Sequence, residues 1–149
     1  MMRWLAGLLL LLSLTAVVGA ARRPAAAKPP QRLAIQAAGA VAFDRISGRH
    51  WQRAVQGPAT WAQANNACQK NAAGLPGTGW RLPNVRELDD LLAMRPHQPM
   101  LDDAFAGSPT GMYWTATPIG SVMWQVSVEL AGPQAAANVQ SLFYYRCAQ

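Results

Sequence analysis

Apolar residues recur at the spacing of an amphipathic helix between residues 60 and 74. The positions that share one face are Trp61, Ala64, Cys68 and Ala72. Thr60, followed three residues later by Gln63, forms a capping box at the start of this stretch, and Gly74 is a natural helix stop. The pattern predicts a helix over residues 60–74 that turns Cys68 toward the core.

A second helical pattern follows a loop rich in glycine and proline. Asn84 and Glu87 form a cap-like pair at its start. The apolar positions that follow are Val85, Leu88, Leu91 and Leu92. Because Pro96 cannot continue a helix, the pattern predicts that this helix ends near Arg95.

Extended patterns flank the two predicted helices. Residues 41–43 and 50–53 are short strand candidates on either side of a turn at 46–48. Beyond Gly111 the period changes from helical to extended, and three more strands are predicted over residues 112–117, 122–128 and 139–147. Two helices followed by a late antiparallel sheet indicate an α+β domain.

The N-terminal residues have the pattern of a secretory signal peptide. Arg3 precedes an apolar run from Leu5 to Val18, and a V-x-A exit ends at Ala20. The alternative is an uncleaved membrane anchor, but the run is shorter than the roughly 20 residues that span a bilayer. We therefore predict a signal peptide over residues 1–20, with cleavage after Ala20 or Ala21. No transmembrane anchor is then expected in the mature protein.

Composition and charge divide the remaining chain into a linker and one domain. The 149 residues allow a single domain. Residues 21–39 are rich in alanine, proline and basic residues and are predicted to be a flexible linker, followed by the domain over residues 40–149. The net charge of +6 belongs to the signal and the linker, because the acidic and basic residues beyond Leu33 nearly balance. This distribution argues against a nucleic-acid partner, although the basic arm could touch anionic glycans or lipid head groups.

Two cysteines, Cys68 and Cys147, are expected to form a disulfide in an exported protein, and they permit a single intramolecular pairing. Buried free thiols and an intermolecular bridge are the alternatives. A CxxC redox motif is absent from the sequence, and His50 and His97 are not spaced from the cysteines as zinc ligands would be. We expect no metal site.

Several motifs, taken in order, resemble the C-terminal domain family of secreted bacterial collagen-like adhesins. They are FDRISGRHWQ (43–52), TWAQANNAC (60–68), WRLPNVRELDDLL (80–92), YWTAT (113–117) and YYRCA (144–148). The resemblance covers residues 41–149, and its departures are Ser47, Arg49, Asn84 and Ala116. It implies a C-type-lectin-like fold with two helices, an antiparallel sheet and one disulfide from Cys68 in the first helix to Cys147 in the last strand.

The residues that carry the family motifs are expected to serve the fold. They are Trp51, Trp61, Trp80, Arg81, Leu82, Pro83, Glu87, Leu88, Trp114 and Arg146. Large aromatic side chains such as these are costly to expose, so most tryptophans, Trp124 included, are expected in or near the core. For Arg81, an ion pair or a helix-end contact is expected in preference to ligand binding. The sequence does not identify the ligand-binding residues.

Calcium binding and catalysis lack the residues they need. The E-P-N, Q-P-D and W-N-D motifs of calcium-dependent lectins are absent from the sequence, and Glu129 is the lone carboxylate between Ser127 and Ala137. His50 and His97 have no triad partners, and the adjacent Asp102 and Asp103 point to opposite sides of an extended chain. We expect no catalytic residue, no metal and no cofactor.

These features favour an exported, non-catalytic and calcium-independent binding module of the periplasm or the medium. We expect it to recognise a glycan or a protein, in adhesion or another envelope interaction, through the loops between Pro96 and Val139. The alternative is a structural or accessory subunit of a bacterial cell-envelope assembly. A contiguous exposed apolar patch would favour a protein partner, whereas aromatic side chains beside polar groups would favour sugar.

Overall fold

A computed structural model describes residues 31–95, 98–101, 103–130, 132–134 and 138–149. The predicted signal peptide lies outside these residues, as does most of the predicted linker. The described α-helices are α1 (Trp61–Gln69) and α2 (Val85–Asp89). The described strands are β1 (Leu33–Gln36), β2 (Val41–Asp44), β3 (His50–Gln52), β4 (Gln56–Ala59), β5 (Leu92–Arg95), β6 (Gln98–Leu101), β7 (Met112–Ile119), β8 (Val122–Ser127), β9 (Gly132–Gln134) and β10 (Phe143–Tyr145).

Strands β1, β2 and β3 form an antiparallel sheet in that order. The predicted hairpin around residues 46–48 is therefore present as β2 and β3. Strand β1 lies inside the segment that we predicted as a linker, and its Leu33 is buried in the core. The folded structure thus begins upstream of residue 40. The four residues of β1 show no clear alternating pattern, but their backbone pairs with the backbone of β2.

Helix α1 begins as predicted and ends earlier than predicted. Thr60 caps it with the complete capping box, in which Gln63 bonds the backbone of Thr60 in return. The helix ends at Gln69, five residues before Gly74. The reason is Asn71, whose backbone adopts a left-handed φ of 49° and whose side chain bonds the backbone of Leu75, so the chain turns away.

Helix α2 also has its predicted capping box, formed by Asn84 and Glu87. The predicted extension to Arg95 is wrong, because α2 ends at Asp89 and Leu92 begins strand β5. The backbone from Leu92 onward pairs with β6, which supplies hydrogen-bond partners that a local helical pattern cannot reveal.

The larger sheet has the order β4-β10-β7-β8-β9. Strands β7 and β8 match the predicted segments closely, whereas the predicted strand over residues 139–147 shortens to β10. The pairing is antiparallel throughout except between β10 and β7, which run parallel with Tyr144 opposite Tyr113. The predicted α+β class with antiparallel pairing is confirmed, with this one parallel pair as an addition.

Two clusters of buried apolar side chains form the core. The first contains Leu33, Ala42, Trp51, Leu88, Leu91, Phe105, Tyr113, Val126, Val128 and Ala148. The second contains Val41, Ala64, Cys68, Leu75, Trp80, Leu82, Trp114 and Cys147. The second cluster encloses the predicted disulfide.

The predicted disulfide between Cys68 and Cys147 is present, with a Cα–Cα distance of 5.4 Å. It joins α1 to the segment directly after β10. The final residues then pass between β3 and Arg81, because Gln52 donates its N–H to Cys147 and Arg81 exchanges two backbone hydrogen bonds with Ala148. One end of the domain is therefore tied by a covalent bond and by backbone pairing together. Across the described ranges, every helix is too short or too polar to cross a membrane.

Candidate functional site

A groove with a volume of about 280 Å³ opens beside the disulfide. One wall is formed by β4 and the end of β10, and the other by the end of α1 and the turn that follows it. Small side chains create the space: Ala40, Ala54, Ala67, Ala72 and Ala73. The larger side chains at the surface of the groove are Gln52, Gln56, Asn71, Leu75 and Tyr145.

Strand register brings the side chains of Tyr145 and Gln56 together. The two residues are paired directly across β10 and β4, so their side chains project from the same face. Cys147 lies two residues beyond Tyr145 and continues that face. The predicted alternation of Phe143, Tyr145 and Cys147 is therefore present, with Cys147 buried and the two aromatic residues partly buried against the second cluster.

Gln52 provides a fixed amide at the floor of the groove. Its side chain is nearly inaccessible, with the residue 1% exposed. Its Oε1 accepts a hydrogen bond of 3.2 Å from the backbone N–H of Cys147. An N–H donor must face the amide oxygen, so this bond also fixes the position of the amide nitrogen. Within the described chain, none of the hydrogen bonds uses Gln52 Nε2.

The other amide side chains of the groove differ in their use. Both polar atoms of the Asn71 side chain form hydrogen bonds with the backbone of Leu75. Nδ2 donates to the Leu75 carbonyl at 2.7 Å, and Oδ1 accepts from the Leu75 N–H at 2.8 Å. This clasp shapes the rim of the groove. The half-buried Gln56 and the hydroxyl of Tyr145 take no part in the side-chain hydrogen bonds of the described residues. Their polar atoms are therefore available to a ligand.

The described residues that line the groove carry no charge at neutral pH. Among them, Tyr145 is the sole ionisable group besides the bonded Cys147, and burial raises the pKa of the Tyr145 hydroxyl, which stays protonated at neutral pH. The nearby Arg53 directs its guanidinium elsewhere, donating to the carbonyl oxygens of Ala104 and Gly39. The groove is therefore suited to an uncharged ligand.

Charged residues of the family motifs form a separate cluster around Glu87. Arg81 donates to both carboxylate oxygens of Glu87, at 2.8 and 2.9 Å, and Arg49 lies 2.7 Å from Oε1. Burial alone would raise the pKa of Glu87, but the Arg81 hydrogen bonds, the Asn84 N–H and the two positive charges lower it overall. This arrangement joins the β2–β3 hairpin to the start of α2.

Asp44 is the second buried carboxylate. Arg32 donates to both of its oxygens, at 3.1 and 2.7 Å, and Ser47 and the N–H of Ile46 also bond it. Burial opposes the charge, but these hydrogen bonds hold the pKa of Asp44 well below its ordinary value. Asp44 and Glu87 are thus both engaged in holding turns and strands.

Arg146 is fully buried without a carboxylate among its described contacts. It donates to the backbone carbonyls of Gln52 and Arg53 and to the hydroxyl of Ser108, and its guanidinium lies 4.1 Å from the Phe105 ring centre. Burial lowers the pKa of Arg146 to about 10. The group remains charged at neutral pH and fastens the last strand to β3.

The remaining motif residues contribute to the core. Trp51, Trp80, Trp114, Leu82, Leu88 and Pro83 are buried, and Trp61 is half-buried. The indole N–H of Trp61 bonds the Thr115 carbonyl, and that of Trp114 bonds the Ala59 carbonyl. Trp124 is also half-buried. These tryptophans connect helices, strands and loops to one another.

The residues weighed for metal binding or catalysis are not brought together. Among the described residues, no group of three or more His, Cys, Asp or Glu side chains could hold a metal ion. The His50 ring lies tilted against Phe43, with ring centres 4.9 Å apart. It also lines a second depression of about 340 Å³, together with Trp80 and Gln149. His97 and Asp102 lie outside the described residues.

The groove was not found by sequence reasoning, which pointed to the loops between Pro96 and Val139. Much of that stretch, where described, forms β6, β7, β8 and β9. Residues 131 and 135–137 lie outside the described part. The alternation of Tyr145 with Cys147 in the sequence could have indicated one wall of the groove. The pairing of Tyr145 with Gln56 depends on the register between β10 and β4, which cannot be read from the sequence.

The fold and the motif residues together define a disulfide-tied α+β domain whose buried charges serve its own structure. A family model described as the Lcl C-terminal domain matches residues 40–148, so the chain belongs to this family. It is a family of secreted, adhesin-type and non-enzymatic domains. The search of curated proteins found no match to the chain.

Proposed function

We propose that this protein is an exported, non-catalytic and calcium-independent binding module with a C-type-lectin-like domain. The observation that carries the proposal is the groove beside the disulfide. Gln52, Gln56 and Tyr145 face it with polar atoms that the described structure does not use, whereas Asp44, Glu87 and Arg146 are engaged internally. A concave, rigid surface with a few unused polar groups is typical of a ligand site.

The absence of catalysis is supported by the use of the ionisable side chains. General acid–base chemistry needs a titratable group that can reach a substrate. Asp44 and Glu87 are each enclosed by arginine and backbone donors, which keep both carboxylates ionised. The membership of an adhesin-type family agrees with this proposal.

Export is supported by the disulfide and by the predicted signal peptide. Disulfides persist in oxidising compartments such as the bacterial periplasm and the medium. The bond between Cys68 and Cys147 ties together elements that are 79 residues apart in sequence. We propose that the protein acts in the periplasm or outside the cell, in adhesion or another envelope interaction.

A glycan array tests the binding function directly. The chain from residue 21 onward, oxidised and fluorescently labelled, is applied with and without EDTA, and an envelope extract is passed over the same protein. Binding to defined glycans that survives EDTA is the expected result. Retention of an envelope protein without any glycan signal would favour the accessory-subunit alternative. No retention by either material would contradict a binding function.

The exposed apolar side chains agree better with a small ligand than with a broad protein interface. Ile119 and Leu130 are exposed at 37% and 63%, but they lie at opposite ends of the β7–β8 hairpin. Ile46, at 79%, lies in the separate β2–β3 turn, Ile35, at 48%, lies in β1, and Leu142, at 60%, directly precedes β10. Single exposed apolar residues are ordinary on protein surfaces. Tyr145 beside Gln56, by contrast, is the aromatic and polar combination that sugars favour.

A further inference from the structure

We infer that the groove beside the disulfide binds an uncharged saccharide unit, with Tyr145, Gln56 and Gln52 as its binding residues. This inference rests on the proposed binding function and adds its ligand class and its site. With a volume of about 280 Å³, the groove lies just below the range of roughly 300–1,000 Å³ that is typical of ligand pockets. It therefore suits a single sugar unit, either free or at the end of a longer glycan.

The unused polar groups match the chemistry of sugar hydroxyls. A hydroxyl both donates and accepts, so it is best met by groups of both kinds. Gln52 Nε2 can only donate, the Gln56 amide can do both, and the Tyr145 hydroxyl can do both. These three groups lie on the same groove, which the pairing of Tyr145 with Gln56 and of Gln52 with Cys147 brings about.

The apolar part of the groove suits the face of a sugar ring that presents C–H groups. Tyr145 lines the groove, and so do alanine side chains from α1 and from the turn that follows it. An aromatic ring with a polar tip offers an apolar surface to C–H groups and a hydroxyl to polar groups at the same time. This combination distinguishes the groove from a purely apolar pocket, which would favour a lipid or an aromatic compound.

Because the described lining of the groove carries no charge, the groove should bind neutral sugars more tightly than acidic ones. A carboxylate or sulfate group that entered the groove would lose hydration without meeting a cation, because Arg53 is held by Gly39 and Ala104. Neutral sugars have no such cost. The expected order is therefore neutral saccharides above their acidic counterparts.

Gln52 makes the site rigid before the ligand arrives. Its amide is held by the N–H of Cys147, and Cys147 is held in turn by the disulfide to Cys68. A donor that is already fixed loses little conformational freedom on binding. The disulfide therefore serves the binding geometry as well as stability.

The test uses substitutions at the rim of the groove, which leave the buried Gln52 in place. Ala54→Trp fills the groove from an exposed position, and Ala62→Trp is its matched control on the exposed side of α1. Gln56→Ala removes one amide, and Gln69→Ala removes an exposed amide elsewhere. Tyr145→Phe removes the hydroxyl and keeps the ring. Circular dichroism and the thermal midpoint verify that each variant is folded.

The probes are neutral hexoses, N-acetylhexosamines and their disaccharides, with glucuronic acid and heparin as charged comparisons. Binding is measured by NMR titration of the side-chain amide signals. We expect at least one neutral probe to shift the Gln52 and Gln56 amide signals. Ala54→Trp should abolish its binding, Gln56→Ala and Tyr145→Phe should weaken it about tenfold, and the control variants should leave it unchanged.

Three outcomes would overturn the inference. They are preference for the charged probes, neutral-sugar binding that Ala54→Trp leaves intact, and failure of every neutral probe to shift the groove signals. If the array or the envelope extract still shows binding in these cases, the site assignment fails and the binding function stands. Failure of array, extract and titration together would refute both.

Discussion

Removal of the disulfide should destabilise the domain strongly, and the structure sets the magnitude. The two cysteines are separated by 79 residues, so the bond closes a loop that covers most of the folded chain. In the chain-entropy model a loop of this length contributes about 4.5 kcal/mol at 25 °C, and native bridges in small secreted domains contribute about 2–5 kcal/mol. Because small domains have a total stability of about 5–15 kcal/mol, the bond accounts for a large share of it.

The assay is urea unfolding followed by tryptophan fluorescence, on the wild type and on the double variant Cys68→Ala/Cys147→Ala. The double variant leaves no single thiol that could form intermolecular bridges. We expect a loss of about 2–5 kcal/mol in the free energy of unfolding and a fall in the thermal midpoint of roughly 10–20 °C. If the double variant does not fold, reduced wild type at low temperature measures the loss of the covalent bond alone.

The control distinguishes the stability contributed by the covalent bond from the stability contributed by the packing of the two sulfur atoms. Reduced wild type keeps both sulfurs in the second cluster and loses only the bond, whereas the double variant loses both. A reducing agent should therefore destabilise the wild type and leave the double variant unchanged. A difference below about 1 kcal/mol between oxidised and reduced wild type would refute the reasoning. Free alkylation of both cysteines in the native, unreduced protein would refute it too.

The other predictions concern charge and metal. Glu87→Gln should lower the free energy of unfolding by about 2 kcal/mol, because Arg81 and Arg49 lose a charged acceptor. The control Glu129→Gln, at an exposed position, should change the free energy of unfolding little. Both are measured by urea titration. The folded-state pKa values of Asp44 and Glu87 are lowered, so the unfolded chain binds more protons in acid. The stability that these two carboxylates contribute should therefore be fully present at neutral pH and be lost below about pH 4. The raised pKa of Asp89 acts in the opposite sense. A thermal midpoint that rises on acidification would contradict the lowered pKa values of Asp44 and Glu87. EDTA should leave the thermal midpoint unchanged, and a loss of several degrees that Ca²⁺ or Zn²⁺ restores would reveal a metal site.

Local signals in the sequence predicted the starts of elements better than their ends. Both capping boxes are present because Thr60–Gln63 and Asn84–Glu87 contain all the atoms that each motif requires. The ends of the same helices were misplaced. Asn71 turns the chain after α1, and β6 competes for the backbone that a longer α2 would use. Such competition is invisible to a helical pattern.

Short strands and the groove depend on contacts between distant parts of the chain. Strand β1 has four residues and becomes a strand through its partner β2. The groove needs β4 opposite β10, α1 beside them and Gln52 bonded to Cys147. The disulfide was predictable because two cysteines allow one intramolecular pair, and the same bond brings the walls of the groove together.

The location of a bound ligand tests the central claim most directly. A ¹H–¹⁵N NMR titration of the oxidised chain from residue 21 onward, with a glycan that the array retains, reports on the whole domain at once. We expect the largest shifts at the side-chain amides of Gln52 and Gln56 and at the backbone of Tyr145 to Cys147. Shifts confined to residues 107–134, or none at saturating glycan, would contradict the account.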